Sequence, residues 1–227
     1  MKATVDYLRA LTEILEATYH RAAHYEQDPP LSAEPSTPLG ILMVTILSQA
    51  SNDVQTRKVY RALRERFGEW SEVARAPRAD VQAVLKPGGL SQQKAKYLQA
   101  ALADIYQRTG AYDLDFLRDR SDASVREFLT GLFGVGLKTA ACVELFGLGR
   151  AAFPVDTHVS RIAKRLGLVS PTASPEKVQR ALEPVVPDDL ALALHLNLLA
   201  HGREVCTARV AHCDRCVLLS HCEQVGV

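Results

Sequence analysis

With 227 residues, 47% of them hydrophobic and 23% charged, the chain can build one large domain or two small ones with real cores, which excludes a disordered or fibrous protein. The formal net charge of only +1 excludes a globally basic nucleic-acid binder, but the charge is polarised. Residues 55–66 carry Arg57, Lys58, Arg61, Arg64 and Arg66 against Glu65; residues 138–165 carry five basic groups against Glu144 and Asp156; residues 1–30 are net acidic.

The start, MKATVDYLRALTEI, is amphipathic and charged rather than signal-like. Residues 4–25 place Val5, Leu8, Leu11, Leu15 and Tyr19 on one stripe of a helix. The proline-rich stretch at 28–38 reads as a loop and a domain boundary. GILMVTILSQ, at 40–49, is apolar nearly all round and predicts a buried helix at the middle of a bundle. The longest apolar run, Leu39 to Leu47, is too short to span a bilayer, so the expectation is an intracellular, cytoplasmic protein with no membrane partner and reduced cysteines. A basic amphipathic helix follows over 53–66, then two short helices, a turn over Lys86-Pro87-Gly88-Gly89-Leu90, and a helix capped by Ser91 and running to about Arg108.

The stretch 132–158, LFGVGLKTAACVELFGLGRAAFPVDTH, carries the densest signal. Ser124-x-x-Glu127 reads as a capping box opening one helix. Gly134-Val135-Gly136 makes a tight hairpin, with both glycines suited to positive φ or a close backbone approach, and Lys138 to Leu148 forms a second helix. Such a hairpin offers free N–H groups at the positive end of a helix, a ready site for a phosphate. Beyond Asp156, residues 157–167 read as helix. Ser174-Pro175 opens another, and 188–200, with two aspartates before a leucine–alanine run, is also assigned to helix. No convincing strand appears, and the fold is expected to be all-α.

LFGVGLKTA followed by VDTH resembles the helix–hairpin–helix of DNA glycosylases related to endonuclease III, with Phe133 where that family has its first proline. The resemblance extends from about residue 30 to 222. It implies a two-domain fold: a helical barrel at 31–150 holding the motif at about 124–148, and an iron–sulfur cluster domain made of 1–30 plus 151–227. A DNA-binding cleft would lie between the domains, with Lys138 and Asp156 facing each other across it.

Four of the five cysteines fall near the C-terminus as Cys206-x6-Cys213-x2-Cys216-x5-Cys222. In a reduced compartment this clustering points to metal, either a [4Fe–4S] cluster or a structural zinc. With His201-Gly202-Arg203 just before it, the spacing resembles the endonuclease III iron–sulfur loop, which implies a [4Fe–4S] cofactor with a structural role and leaves His212 and His221 as bystanders. Arg203, Arg209 and Arg215 could then present to phosphates. Cys142 reads as a small buried apolar residue.

The resemblance implies base-excision repair of double-stranded DNA containing damaged bases or abasic sites, by a monomer. Lys138 would attack C1′ of the sugar, forming a Schiff base and cutting the strand by β-elimination; Asp156 would stabilise developing positive charge and assist proton transfer. Gly134, Val135, Gly136, Thr139 and His158 fall in the matched motif as DNA-binding residues. Leu90 matches the wedge that fills the gap left by a flipped base. A second gap filler in that family is a glutamine, but here the text is Ser48-Gln49-Ala50-Ser51-Asn52-Asp53. Gln49 stands one place early, a turn of about 100° on a helix, with Asn52, or Gln49 after local rearrangement, as the substitute. Oxidised pyrimidines are the expected substrate; a mismatch or alkylated-base glycosylase and a non-catalytic DNA-structure binder are the alternatives.

Overall fold

The computed structural model of the chain describes residues 3–25 and 37–227. These residues are all-helical apart from one antiparallel bridge between Cys206 and Ala211. The chain divides into two compact units: Pro29–Gly149, here the hairpin unit, and Met1–Asp28 with Arg150–Val227, here the cysteine unit. The proline-rich 28–38 stretch lies, apart from Thr37 and Pro38, outside the described residues. Among those described, no helix is long and apolar enough to cross a membrane.

The cysteine unit begins with α1 (Val5–Tyr19), capped by the Thr4 hydroxyl and burying Leu8, Leu11 and Leu15. The hairpin unit is built round α2 (Pro38–Ser48), where Thr37 caps, Pro38 supplies the first helical residue, and every residue from Pro38 to Leu47 is buried. A helix apolar on all sides can stand only inside a shell of others, and α2 touches helices on several sides. One is α3 (Asp53–Phe67), which buries Thr56, Val59, Tyr60, Leu63 and Phe67 and leaves Arg57, Lys58, Arg61 and Arg66 exposed.

The short α4 (Trp70–Arg75) and α5 (Arg78–Leu85) are tied together by Gln99 of α6 (Ser91–Thr109), whose Oε1 accepts from Arg78 Nε of α5 at 3.3 Å. Its amide donates to the carbonyls of Val73 at 3.0 Å and Ala76 at 2.8 Å. A 3₁₀ turn over Lys86–Gly88 joins α5 to α6, and Leu90, not Ser91, occupies the cap position of α6.

The helix–hairpin–helix is formed by α7 (Asp122–Thr130) and α8 (Leu137–Cys142). The cap of α7 is Ser121, whose hydroxyl accepts from Ser124 N–H at 3.4 Å, so this helix starts before the Ser124 box read from sequence. Beyond Cys142 the second helix widens into a π-helical turn, Val143–Gly147, packed on α2. Widening places Glu144 inside, where it accepts two hydrogen bonds from the Arg126 guanidinium of α7: Nε to Oε1 at 2.7 Å, and Nη2 to Oε2. Both arms of the motif are thereby clamped through a bidentate ion pair.

In the cysteine unit α9 (Thr157–Arg165), α10 (Pro175–Leu182) and α11 (Ala191–Glu204) complete the framework. α11 packs on α1 and on α9. Asn197, fully buried on α11, donates to Glu16 of α1 and accepts from the Arg21 N–H just beyond it.

Candidate functional site

The hairpin of the first unit is a product of two contacts. Gly134 has φ +80, and a Cβ there would stand 2.8 Å from the Tyr97 ring of α6, so both backbone conformation and space demand glycine. Gly136 differs from the sequence expectation: its φ is −96 and its ψ 179, ordinary extended backbone, and nothing lies within 4 Å of where its Cβ would be. That open side leaves its backbone approachable. Val135 is buried in the core and its N–H donates to Leu132 O at 3.1 Å, so its side chain anchors the hairpin rather than facing a ligand.

Lys138 is the second residue of α8 and half-buried; Thr139 beside it is buried. Phe133 stands half exposed at the hairpin, edge-on to Tyr97 at 5.4 Å, with the Lys96 ammonium 5.1 Å above its ring. Where the resembling family has proline, this chain holds an aromatic ring carrying a cation.

Leu90 has φ +48 and ψ +36 and is 53% exposed, an apolar side chain held outward by left-handed backbone. Gln49 and Asn52 lie in the link between α2 and α3. The 100° argument for Gln49 fails because α2 has already ended at Ser48, and Ala50 after it turns through φ +48. Asn52 is the cap of α3, its Oδ1 accepting from Gln55 N–H at 2.9 Å, so its carbonyl oxygen is engaged while the residue stays exposed.

In the cysteine unit the segment before Asp156 is nailed down. Phe153 and Val155 are buried, Phe153 N–H donates to Glu183 at 3.1 Å, and the Pro154 carbonyl lies 2.9 Å from His195 Nδ1. Asp156 then caps α9, its Oδ1 accepting from Val159 N–H at 2.8 Å, which leaves Oδ2 for other work. Cap and reactive carboxylate can be separated by substitution. Asp156→Asn keeps an acceptor at the cap and should melt within a few tenths of a kcal/mol of the native protein, whereas Asp156→Ala should lose about 1 kcal/mol. If the negative charge of Asp156 serves chemistry as well as the cap, activity should fall in both variants by about 10²-fold or more; equal activity in the Asn variant would assign Asp156 to capping alone.

His158 is half-buried, with Nδ1 3.1 Å from the Arg161 guanidinium and its ring against Gly202 of α11. Arg161 donates onward to the Cys206 carbonyl at 2.9 Å and the Gly202 carbonyl at 2.8 Å; burial lowers its pKa from the usual value. One turn later Arg165 donates to the Thr207 carbonyl at 2.7 Å and to Cys206 Sγ at 3.2 Å. The helix that Asp156 opens therefore also holds the cysteine loop. Sequence reading passed over both arginines, although their i,i+4 spacing on α9 put them on one face.

Cys206, Cys213, Cys216 and Cys222 are free thiols lining one cavity with Ile162, Leu166, Val205 and Leu218. Two of the sulfurs stand beside protein N–H groups, Cys206 by Arg165 and Cys222 by Gln224 N–H at 3.3 Å, and Cys216 Sγ lies 3.6 Å from His201 Nε2. His201 is buried, which lowers its pKa to about 4, and its other ring nitrogen meets Tyr19 OH at 2.9 Å. Among the described residues no group of three or more His, Cys, Asp and Glu is placed to hold one metal ion. Four thiols on an apolar cavity with N–H groups at sulfur fit a cysteine-held iron–sulfur group. Of the arginines expected to face phosphate, Arg215 donates to the Glu204 carbonyl at 2.8 Å and so serves the loop, while Arg203 and Arg209 are exposed.

Residues 43–188 match the family described as HhH-GPD superfamily base excision DNA repair protein. Endonuclease III of Thermotoga maritima is 32% identical over 194 residues, 86% of this chain and 86% of that protein. Endonuclease III of Sulfolobus acidocaldarius is 31% identical over 185 residues, 80% of each. Among solved structures, a trapped endonuclease III–DNA covalent intermediate matches with a TM-score of 0.78 at 26% identity over 96% of both chains. A thermostable thymine-DNA glycosylase shares the fold with a TM-score of 0.77 at 20% identity, also over 96% of both chains.

Proposed function

Because the chain belongs to the HhH-GPD superfamily of base excision DNA repair proteins, we propose that it is a bifunctional DNA glycosylase and AP lyase that removes oxidised pyrimidines from duplex DNA. The observation that carries this reading is Lys138, on the second residue of the helix that leaves the glycine hairpin. A related endonuclease III has been trapped as a covalent intermediate with DNA, which supports the same type of chemistry here.

In this reading the backbone of Gly134 and Gly136 approaches a phosphate, Leu90 fills the gap left by an extruded base, and Gln49 and Asn52 border it. Lys138 attacks C1′ as the free amine, forming the Nζ–C1′ bond as the bond to the base breaks and the base leaves with that electron pair and a proton. Ring opening gives an imine. Loss of a C2′ proton then expels the 3′ phosphate oxygen, and water hydrolyses the imine to release Lys138. Asp156 carries negative charge toward the cationic sugar and takes part in moving these protons.

Cys206, Cys213, Cys216 and Cys222 would hold a [4Fe–4S] cluster, which orders a loop too poor in apolar residues to fold alone. Iron and sulfide content of the purified protein tests that assignment. The enzymatic reading is tested with borohydride on two duplexes, one with a single thymine glycol and one with an abasic site. A protein–DNA adduct on both is the expected result. An adduct on neither, with DNA binding intact, would overturn the reading in favour of a DNA-structure binder.

A further inference from the structure

Lys94 is buried where lysine rarely is: 1% of it is exposed, among the largest fully buried side chains of the protein. Burial lowers its pKa from the usual lysine value. Its Nζ donates to the Gly88 carbonyl at 2.7 Å, and its backbone N–H donates to the Leu90 carbonyl at 2.9 Å.

Gly88 closes the 3₁₀ turn that prolongs α5, so its carbonyl belongs to the negative end of that helical run, where intrahelical donors have run out. The chain then passes through Gly89 at φ +70 and Leu90 at φ +48 before α6 begins. The same turn is pressed onto α3: a Cβ at Gly88 would stand 2.9 Å from Val59 Cγ1. A left-handed leucine, more than half exposed, is not a conformation that its own local preferences sustain. Something must over-determine it, and the ammonium buried beneath it bonds the turn on one side while its backbone bonds Leu90 on the other.

We propose that Lys94 is a positioning residue: its buried ammonium, held on Gly88 O, locks the 86–90 turn in the conformation that keeps Leu90 outward for insertion into the DNA gap. The proposal rests on the assignment of Leu90 as wedge given above. It makes wedge insertion depend on a charge that never touches DNA.

The test uses the full-length protein, 2-aminopurine opposite a stable abasic analogue in a duplex as the reporter of insertion, and borohydride trapping on a natural abasic site as the reporter of Lys138. Lys94→Met removes the donor at similar volume. It should cut the fluorescence rise at least fivefold, as Leu90→Ala does, with the double variant no worse than either single one. Trapping by Lys94→Met should stay within threefold of the native protein. Gly88→Ala, which displaces the turn through Val59 without touching Lys94, should give the same pattern, and it carries the test if Lys94→Met does not fold.

A native fluorescence rise in Lys94→Met beside a reduced one in Leu90→Ala would overturn the positioning role and leave the wedge standing. A native rise in Leu90→Ala would overturn the wedge assignment and this proposal with it. Parallel loss of fluorescence and trapping in Lys94→Met would also overturn it, by showing damage that is not confined to the turn.

Discussion

Lys138→Ala is expected to abolish borohydride trapping on both duplexes and to slow strand cutting at an abasic site by at least about 10³-fold. The fold should survive intact. Lys138 is half-buried in the first turn of α8, and alanine is the better helix former. Melting should therefore stay within about 0.5 kcal/mol of the native protein, which makes lost chemistry readable as such. Undiminished trapping in the variant would sink the assignment and turn attention to another amine. Trapping on the abasic duplex but not on thymine glycol would keep the lyase and shift the question to which base is accepted. The link at Ser48–Asp53, with Ala50 at φ +48, is where that question would be pursued.

The sequence announced the elements that depend on pattern. α2 declared itself by being apolar on every side, and Ser174-Pro175 and Asp156 marked helix starts that are indeed caps. What stayed hidden depends on who meets whom. Ser121 and Ser124 are each competent caps three residues apart, and only the backbone path selects Ser121. Ser91 looked like the cap of α6, but Leu90 takes that position in a conformation that leucine seldom adopts. A lysine in a run of polar residues, SQQKAK, gives no sign that Lys94 is buried, because the acceptor waiting for it belongs to the preceding turn. The hairpin lysine was legible from its motif. The arginines of α9 that hold the cysteine loop were not, since their partners are backbone carbonyls 41 to 45 residues further on.

Arg126→Met is expected to destabilise the hairpin unit by about 3 kcal/mol, the low end for breaking a buried ion pair. Glu144 is left buried, 6% exposed, without its guanidinium, while water reaches part of the Arg126 position, 28% exposed. A loss of that size should lower the melting temperature by roughly 10 °C. The companion Arg126→Met/Glu144→Leu should recover most of it, because the penalty lies in a buried carboxylate that the Arg126 guanidinium no longer faces rather than in a missing bond. Since the pair spans α7 and the π-helical turn beyond α8, DNA affinity of the single variant should fall even well below its melting point. Denaturant titration of native, single and double variants decides the matter. A single variant as stable as the native protein, or a double variant no better than the single, would show that the pair does not clamp the motif.

The packing of α1 against α11 delays the burial of α1 until late in synthesis. Leu8 and Leu11 share an apolar space with Leu194 and Leu198, which lie more than 180 residues later in the chain. A ribosome makes α1 before α11, whereas the contacts inside Pro29–Gly149 can close while translation continues. The nascent chain therefore carries an uncovered leucine stripe through most of its synthesis, until the arrival of α11 covers it.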